Sequence, residues 1–298
     1  MFEKIQYGGW DNCYRLANDQ VDLVVTADVG PRVIRFGFLD QANMFKEFSD
    51  QLGKTAGDEW MPFGGHRLWH APESQPRTYC PDFDPVLIQE IENGMIATQK
   101  PEQTTGIQKQ MEISLSPDKP EVTLKQRLYN HNLWAVDCAT WSITVMAPGG
   151  VAILPLPPRG PHPDFLLPTS SLSIWPYTNL SDPRWVFGEK YIHLKQDATI
   201  SKPQKLGIHT TAGWGAYANQ GYLFKKQVPI HFEGLYPDLG ANFEVFTNSK
   251  MLELETLGPI ETILPKGHIE LQEHWTLYDE IPAIHTEEDV EKVLLSIN

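Results

Sequence analysis

The sequence predicts an all-β fold, a large antiparallel β-sandwich with a short C-terminal helix, and three observations carry that prediction. Apolar residues recur with a period of two along most of the chain, the signature of half-buried strands. Nine Trp, ten Tyr and thirteen Phe are interleaved with 24 Pro and 22 Gly, a composition suited to many strands joined by many turns. Helix signals are confined to the C-terminal end.

In chain order, VDLVVTADV, PRVIRFGFL, VLIQEI, MIATQK and QMEISLS read as strands bounded by Gly, Pro, Asn or Asp. EVTLKQRLYN is the clearest, with Val122, Leu124 and Leu128 on one face and Thr123, Lys125 and Arg127 on the other. WSITVMA follows. The segment from Leu154 to Pro183 is too rich in proline for a central strand and too long for a turn. It is expected to be an ordered excursion over the sheets, because Phe165, Leu166, Leu167, Ile174 and Trp175 call for burial. HFEGLY and NFEVFT supply further strands, and HIELQEHWTL repeats the half-buried pattern with Ile269, Leu271, Trp275 and Leu277. At the end, Thr286 precedes Glu287 and Glu288 with Asp289 three positions on, an approximate capping box, and Val290, Val293, Leu294 and Ile297 then follow at helical spacing. No internal repeat or low-complexity tract divides the chain, so residues 1–298 are expected to form a single domain.

The formal net charge of -14 argues against nucleic acid as a partner, and scattered Lys and Arg provide no polybasic run for an anionic membrane. Cys13, Cys80 and Cys138 are far apart and form no CxxC pair, which suits reduced thiols. MFEKIQYGGW lacks a basic region followed by an apolar run, and no stretch of 18 apolar residues occurs. The expectation is a cytoplasmic protein.

Three stretches could carry chemistry. GGHRLWHAPE, Gly64 to Glu73, places His66 and His70 four apart with Glu73 three further on. A metal ligand set can be drawn from them, although histidines hydrogen-bonded at a sheet rim explain the same spacing. Arg67 beside Trp69 offers fixed donors for sugar hydroxyls and an indole platform for a pyranose ring. In NFEVFTNSKMLELETLGP, a hairpin turning at Thr247 to Lys250 would put Glu253 and Glu255 on one face. It would set Glu244 opposite Glu253 and Asn242 opposite Glu255. Three carboxylates crowded into a dry, concave site would raise the pKa of at least one. Finally, Trp214, Tyr217 and Tyr222 alternate with small residues before Lys225 and Lys226, which fits either a sugar groove or core packing. No GxSxG elbow, P-loop, GxGxxG or HExxH motif occurs.

TADVGPRVIRFGF, GGHRLWHAPE, WSITVMAPGG and LELETLGP, in that order, resemble the aldose-1-epimerase-like branch of the galactose mutarotase superfamily, over about Tyr7 to Tyr278. The resemblance implies a galactose mutarotase-like supersandwich with an open sugar groove and, in catalytic members, interconversion of aldose anomers. It implies that Arg67 in GGHRLW binds substrate and that Glu255 in LELET is the base. Trp141 in ATWSITV stands where the acid histidine of those members is expected. Opening a cyclic hemiacetal needs one group to take the O1 proton and another to protonate the ring oxygen, and needs no cofactor or metal. The expected enzyme therefore epimerises C1 of a small-molecule sugar, with Glu255 as base and His70 as acid. Arg67, His66, Trp69, Glu73, Trp141, Trp214, Glu244 and Glu253 are the expected substrate contacts. The alternative is a non-catalytic carbohydrate-binding protein on the same fold.

Overall fold

The computed structural model describes residues 1–297. Strand alternation sorts the side chains onto two sheets, and every strand pair in both is antiparallel. The first, of eleven strands, runs in spatial order Phe2–Tyr7, Trp10–Ala17, Val21–Thr26, Arg32–Phe38, Gly65–Ala71, Val136–Met146, Leu252–Leu257, Phe243–Thr247, Gln204–Ile208 and Leu172–Ile174. Glu261–Ile263 pairs with the N-terminal end of Val136–Met146. The second, of ten, runs Trp185–Phe187, Tyr191–Lys195, Val151–Pro155, Trp214–Asn219, Tyr222–Gln227, His268–Tyr278, Glu121–Asn130, Ile107–Leu115, Gly94–Thr98 and Leu87–Ile91.

The apolar faces of the two sheets meet in a common core, with Phe36, Phe45, Phe224 and Trp275 packed edge to face at its centre. Glu121–Asn130 and His268–Tyr278 alternate between buried and more exposed positions as their sequences predict. The central strands of the first sheet differ. Val21–Thr26, Gly65–Ala71 and Leu252–Leu257 are buried at every position, because a second layer built from Trp60, Phe63, Tyr79 and Phe83 covers the outer face of that sheet. This covered outer face holds the candidate site.

The C-terminal helix, Glu287–Ser296, starts at Thr286 with both bonds of the predicted capping box to Asp289. Val290 and Val293 pack with Ile281 and Ile284 against the outer face of the second sheet. Cys13, Cys80 and Cys138 are free thiols. No helix among the described residues is long and apolar enough to cross a membrane.

Three expectations need correction. HFEGLY is a turn rather than a strand, with Phe232 and Leu235 exposed. In the Leu154–Pro183 excursion only Leu172–Ile174 joins a sheet, at its edge. Phe165, Leu166, Leu167 and Ile174 stay largely exposed, and Trp175 is half-buried. The six prolines from Pro155 to Pro168 remove the N–H groups through which this chain could fold over its own apolar residues. The third correction is the hairpin register. Thr247 pairs with Leu252, so Glu244 lies opposite Glu255 and Phe246 opposite Glu253. A slip of two residues keeps every side chain on its expected face, so the three glutamates still project together.

Candidate functional site

Five adjacent strands of the first sheet build the site. Register places Arg67, Ile143, Glu255 and Glu244 in one row across them, with Trp69, Trp141 and Leu257 in the next row on the same face. Val145, Glu253, Phe246 and Lys205 make a third. The charged members are almost wholly buried, Glu244 and Glu255 at 0% exposure and Lys205 at 5%. Lys205 Nζ lies 2.8 Å from Glu244 Oε2 and 3.0 Å from Glu255 Oε2. Trp141 Nε1–H donates to that same Glu255 oxygen at 2.8 Å. Arg67 Nη2 donates to Glu253 Oε1 at 3.0 Å. Glu255 Oε1 has no hydrogen-bond partner among the described residues.

Three carboxylates thus share two cations in a dry setting. Burial pushes the Glu244 carboxyl well above the usual carboxylate range, with Lys205 opposing the shift and Glu255 adding to it. Burial also raises Glu253, against the pull of Arg67. For Lys205, burial works to lower the ammonium, but the carboxylates of Glu244 and Glu255 outweigh it and hold the group well above an ordinary lysine.

A cleft of about 340 Å³ opens beside Lys205, lined by Glu73, Ser74, Gln75, Tyr79, Trp141, Trp175, Lys205 and Asp238. Lys205 Nζ is 4.8 Å from the ring centres of both Trp141 and Trp175. Trp60, Trp69, Tyr79 and Trp141 continue the wall by edge-to-face contacts, and Arg67 is held between the Trp60 and Trp69 rings at 5.0 and 4.6 Å. Tyr79 donates its phenol to Glu73. Asp238 arrives on the short turn Pro237–Gly240, where it and Leu239 take positive φ values of 51° and 63°. Such backbone is strained for residues with a Cβ. Indole faces can stack on the C–H side of a sugar ring, while ammonium and carboxylate groups meet its hydroxyls.

Of the residues singled out from sequence, Glu244, Glu253, Glu255, Arg67, Trp69 and Trp141 come together here, and Glu73 joins them across the cleft. His66 and His70 do not. They occupy the even positions of a strand whose odd positions, Arg67 and Trp69, face the site, so both rings point into the space between the sheets. His66 Nε2 donates to Gln126 Oε1 at 2.8 Å, and its Nδ1 bonds the Thr144 hydroxyl at 2.9 Å. Burial brings the His66 imidazolium down to about 4, so the ring is neutral at pH 7. His70 Nε2 contacts Glu102 at 3.4 Å, and burial lowers this imidazolium too. His70 therefore cannot deliver a proton to the cleft. Trp214 belongs to the second sheet, where it packs with Tyr191 and Lys225 beside the C-terminal helix.

Lys205, Trp175, Tyr79 and Asp238 are the members that sequence reasoning missed. Lys205 had one signal, a charged residue beside Leu206 in QKLGI, where alternation turns it to the face opposite that leucine.

No family model matches the chain, and a search of curated proteins found no match. Solved structures do match. A galactose mutarotase-like protein from Lactobacillus casei superposes with a TM-score of 0.56 at 9% identity, covering 90% of this chain and 100% of that one. The fold is the galactose mutarotase-like sandwich. A galactose mutarotase related enzyme from Lactobacillus acidophilus gives a TM-score of 0.54 at 7% identity, over 92% of this chain and 100% of its own. The same sandwich forms part of a larger TPR-domain containing protein from Parabacteroides distasonis, with a TM-score of 0.60 at 14% identity over 92% of this chain and 49% of that one.

Proposed function

We propose that the cleft binds a sugar ring and that the chain exchanges the anomers of an aldose at C1, with Glu255 as the general base. One observation carries the reading. Glu255 is held by Trp141 and Lys205 through Oε2, and its Oε1, like that of Glu244, is a buried acceptor with no hydrogen-bond partner among the described residues, next to the lysine that lines the cleft. Lys205 takes the donor role that His70 cannot fill.

The steps balance without any further group. Glu255 takes the O1 proton while a Lys205 N–H protonates the ring oxygen, the C1–O5 bond breaks, and an open-chain aldehyde forms. Rotation about C1–C2 presents the other face, and the reverse transfers close the ring. Protonating Glu255 removes one of the two anions that hold the Lys205 proton, so each transfer makes the other easier.

Exchange NMR on an aldose that binds tests this. Glu255→Gln keeps the shape and a Trp141 acceptor but removes the base, and the exchange rate should fall by about 10²-fold with sugar affinity little changed. Full activity in Glu255→Gln would remove Glu255 from the mechanism. A second reading, binding without catalysis, is favoured by the complete burial of Glu255. A wild-type protein that binds sugar but exchanges anomers no faster than buffer would establish that reading instead.

A further inference from the structure

We infer that the cleft selects its sugar by charge and takes an amine-bearing aldose in preference to a uronate or a sugar phosphate. The inference rests on the reading that the cleft binds a sugar ring, and it does not require that the ring be turned over.

The cleft's own charges favour a cation. Two carboxylates line it, Glu73 and Asp238, and neither has a cationic partner within salt-bridge distance among the described residues. Among the described residues, the only partner of the Glu73 carboxylate is the uncharged Tyr79 phenol. The single cation in the lining is Lys205, which is bound on one side by Glu244 and Glu255 and flanked by the rings of Trp141 and Trp175. Arg67, the other nearby cation, is paired with Glu253 and enclosed by two indoles. An incoming carboxylate or phosphate would therefore meet two carboxylates with no cationic partner, while each nearby cation already faces a carboxylate. An incoming ammonium would meet both carboxylates. The whole-chain charge of -14 acts in the same direction at longer range.

Glucosamine, glucose and glucuronate share one ring and differ in charge, and their galacto counterparts make a second set. Each would be titrated against the full chain by calorimetry in low salt, at a pH where the amine is protonated. The amino sugar should bind about tenfold or more tightly than the uronate, with the neutral sugar between them, and high salt should narrow the gap, as expected for partly exposed charges. Glu73→Gln combined with Asp238→Asn should flatten the order. Both residues lie at the rim, and an unchanged melting temperature would show that the double variant is folded. A uronate that binds as tightly as the amino sugar, or an order that survives the double variant, would overturn the inference. Ordered binding with anomer exchange at the buffer rate would support it while ending the epimerase reading. Exchange activity without the charge order would do the reverse, and binding of none of the six sugars would end both.

Discussion

The first sheet buries a lysine–carboxylate cluster on each of its faces, and the two are built to opposite specifications. Between the sheets, Lys226 lies 3.1 Å from Glu273 and donates to the Thr144 hydroxyl and the Leu254 carbonyl. Glu273 accepts from Thr256 and from Trp275 Nε1, and His66 closes the network with a partner on each ring nitrogen. One cation meets one anion there, with the carboxylate bonded at both oxygens. On the outer face one lysine meets two carboxylates, a third lies alongside, and Oε1 of both Glu244 and Glu255 has no hydrogen-bond partner among the described residues. The lysines register the difference. Burial lowers Lys226 despite Glu273, whereas the doubled negative charge holds Lys205 up. A balanced network orients the core, whereas the unbalanced one leaves carboxylate oxygens unpartnered and carboxyls raised by burial.

The sharpest way to break the comparison is to unbalance the inner cluster. Glu273→Gln leaves the Lys226 ammonium buried without its counter-ion, and a loss of about 3–5 kcal/mol of unfolding free energy is expected in urea titrations. A loss below about 1 kcal/mol would show that the network contributes nothing beyond an ordinary surface pair.

Acidity separates the clusters next. The folded-state pKa of His66 is depressed to about 4 from 6.5, so the unfolded chain binds more protons between those values. Stability is then lost as pH falls from about 6.5 to 4, by about 3 kcal/mol in total from this residue. For Glu244 the sign is reversed. Its folded pKa is raised by burial, so the folded chain keeps a proton that the unfolded chain releases above about 4.5, and stability declines as pH rises through that window. Between about pH 4.5 and 6.5 the two contributions oppose each other, so in denaturation midpoints measured from pH 4 upward Glu244→Gln should steepen the rise and weaken the decline above it. A Glu244→Gln variant as pH-sensitive as wild type on that side would place the proton elsewhere.

Much of this arrangement was legible in the sequence. Alternation in EVTLKQRLYN and HIELQEHWTL gave the half-buried strands, and parity in LELET and NFEVF put three carboxylates on one face even with the register off by two. Parity also held the answer to the histidines. A spacing of four puts His66 and His70 on a common face, but the same rule excludes Arg67 and Trp69 from it. Lys205, Asp238 and Trp175 were harder to see, because their meeting depends on strand order and on a turn and an excursion joined only by the fold. Exposure of Phe165, Leu166 and Leu167 lay beyond a rule that expects apolar residues to find cover.

The smallest effect tests how the outer cluster is held. Trp141 donates one hydrogen bond to the Glu255 oxygen that Lys205 also contacts, so Trp141→Phe keeps the ring in the cleft wall and the Lys205 contact but removes that donor. Loss of that bond should leave the Glu255 carboxylate less firmly oriented. On the proposed mechanism, anomer exchange should fall by about tenfold, less than for Glu255→Gln, because the carboxylate is still present but is aimed by Lys205 alone. The loss should fall on kcat, with KM little changed. A Trp141→Phe variant whose only change is a raised KM would make Trp141 a wall of the cleft and no more.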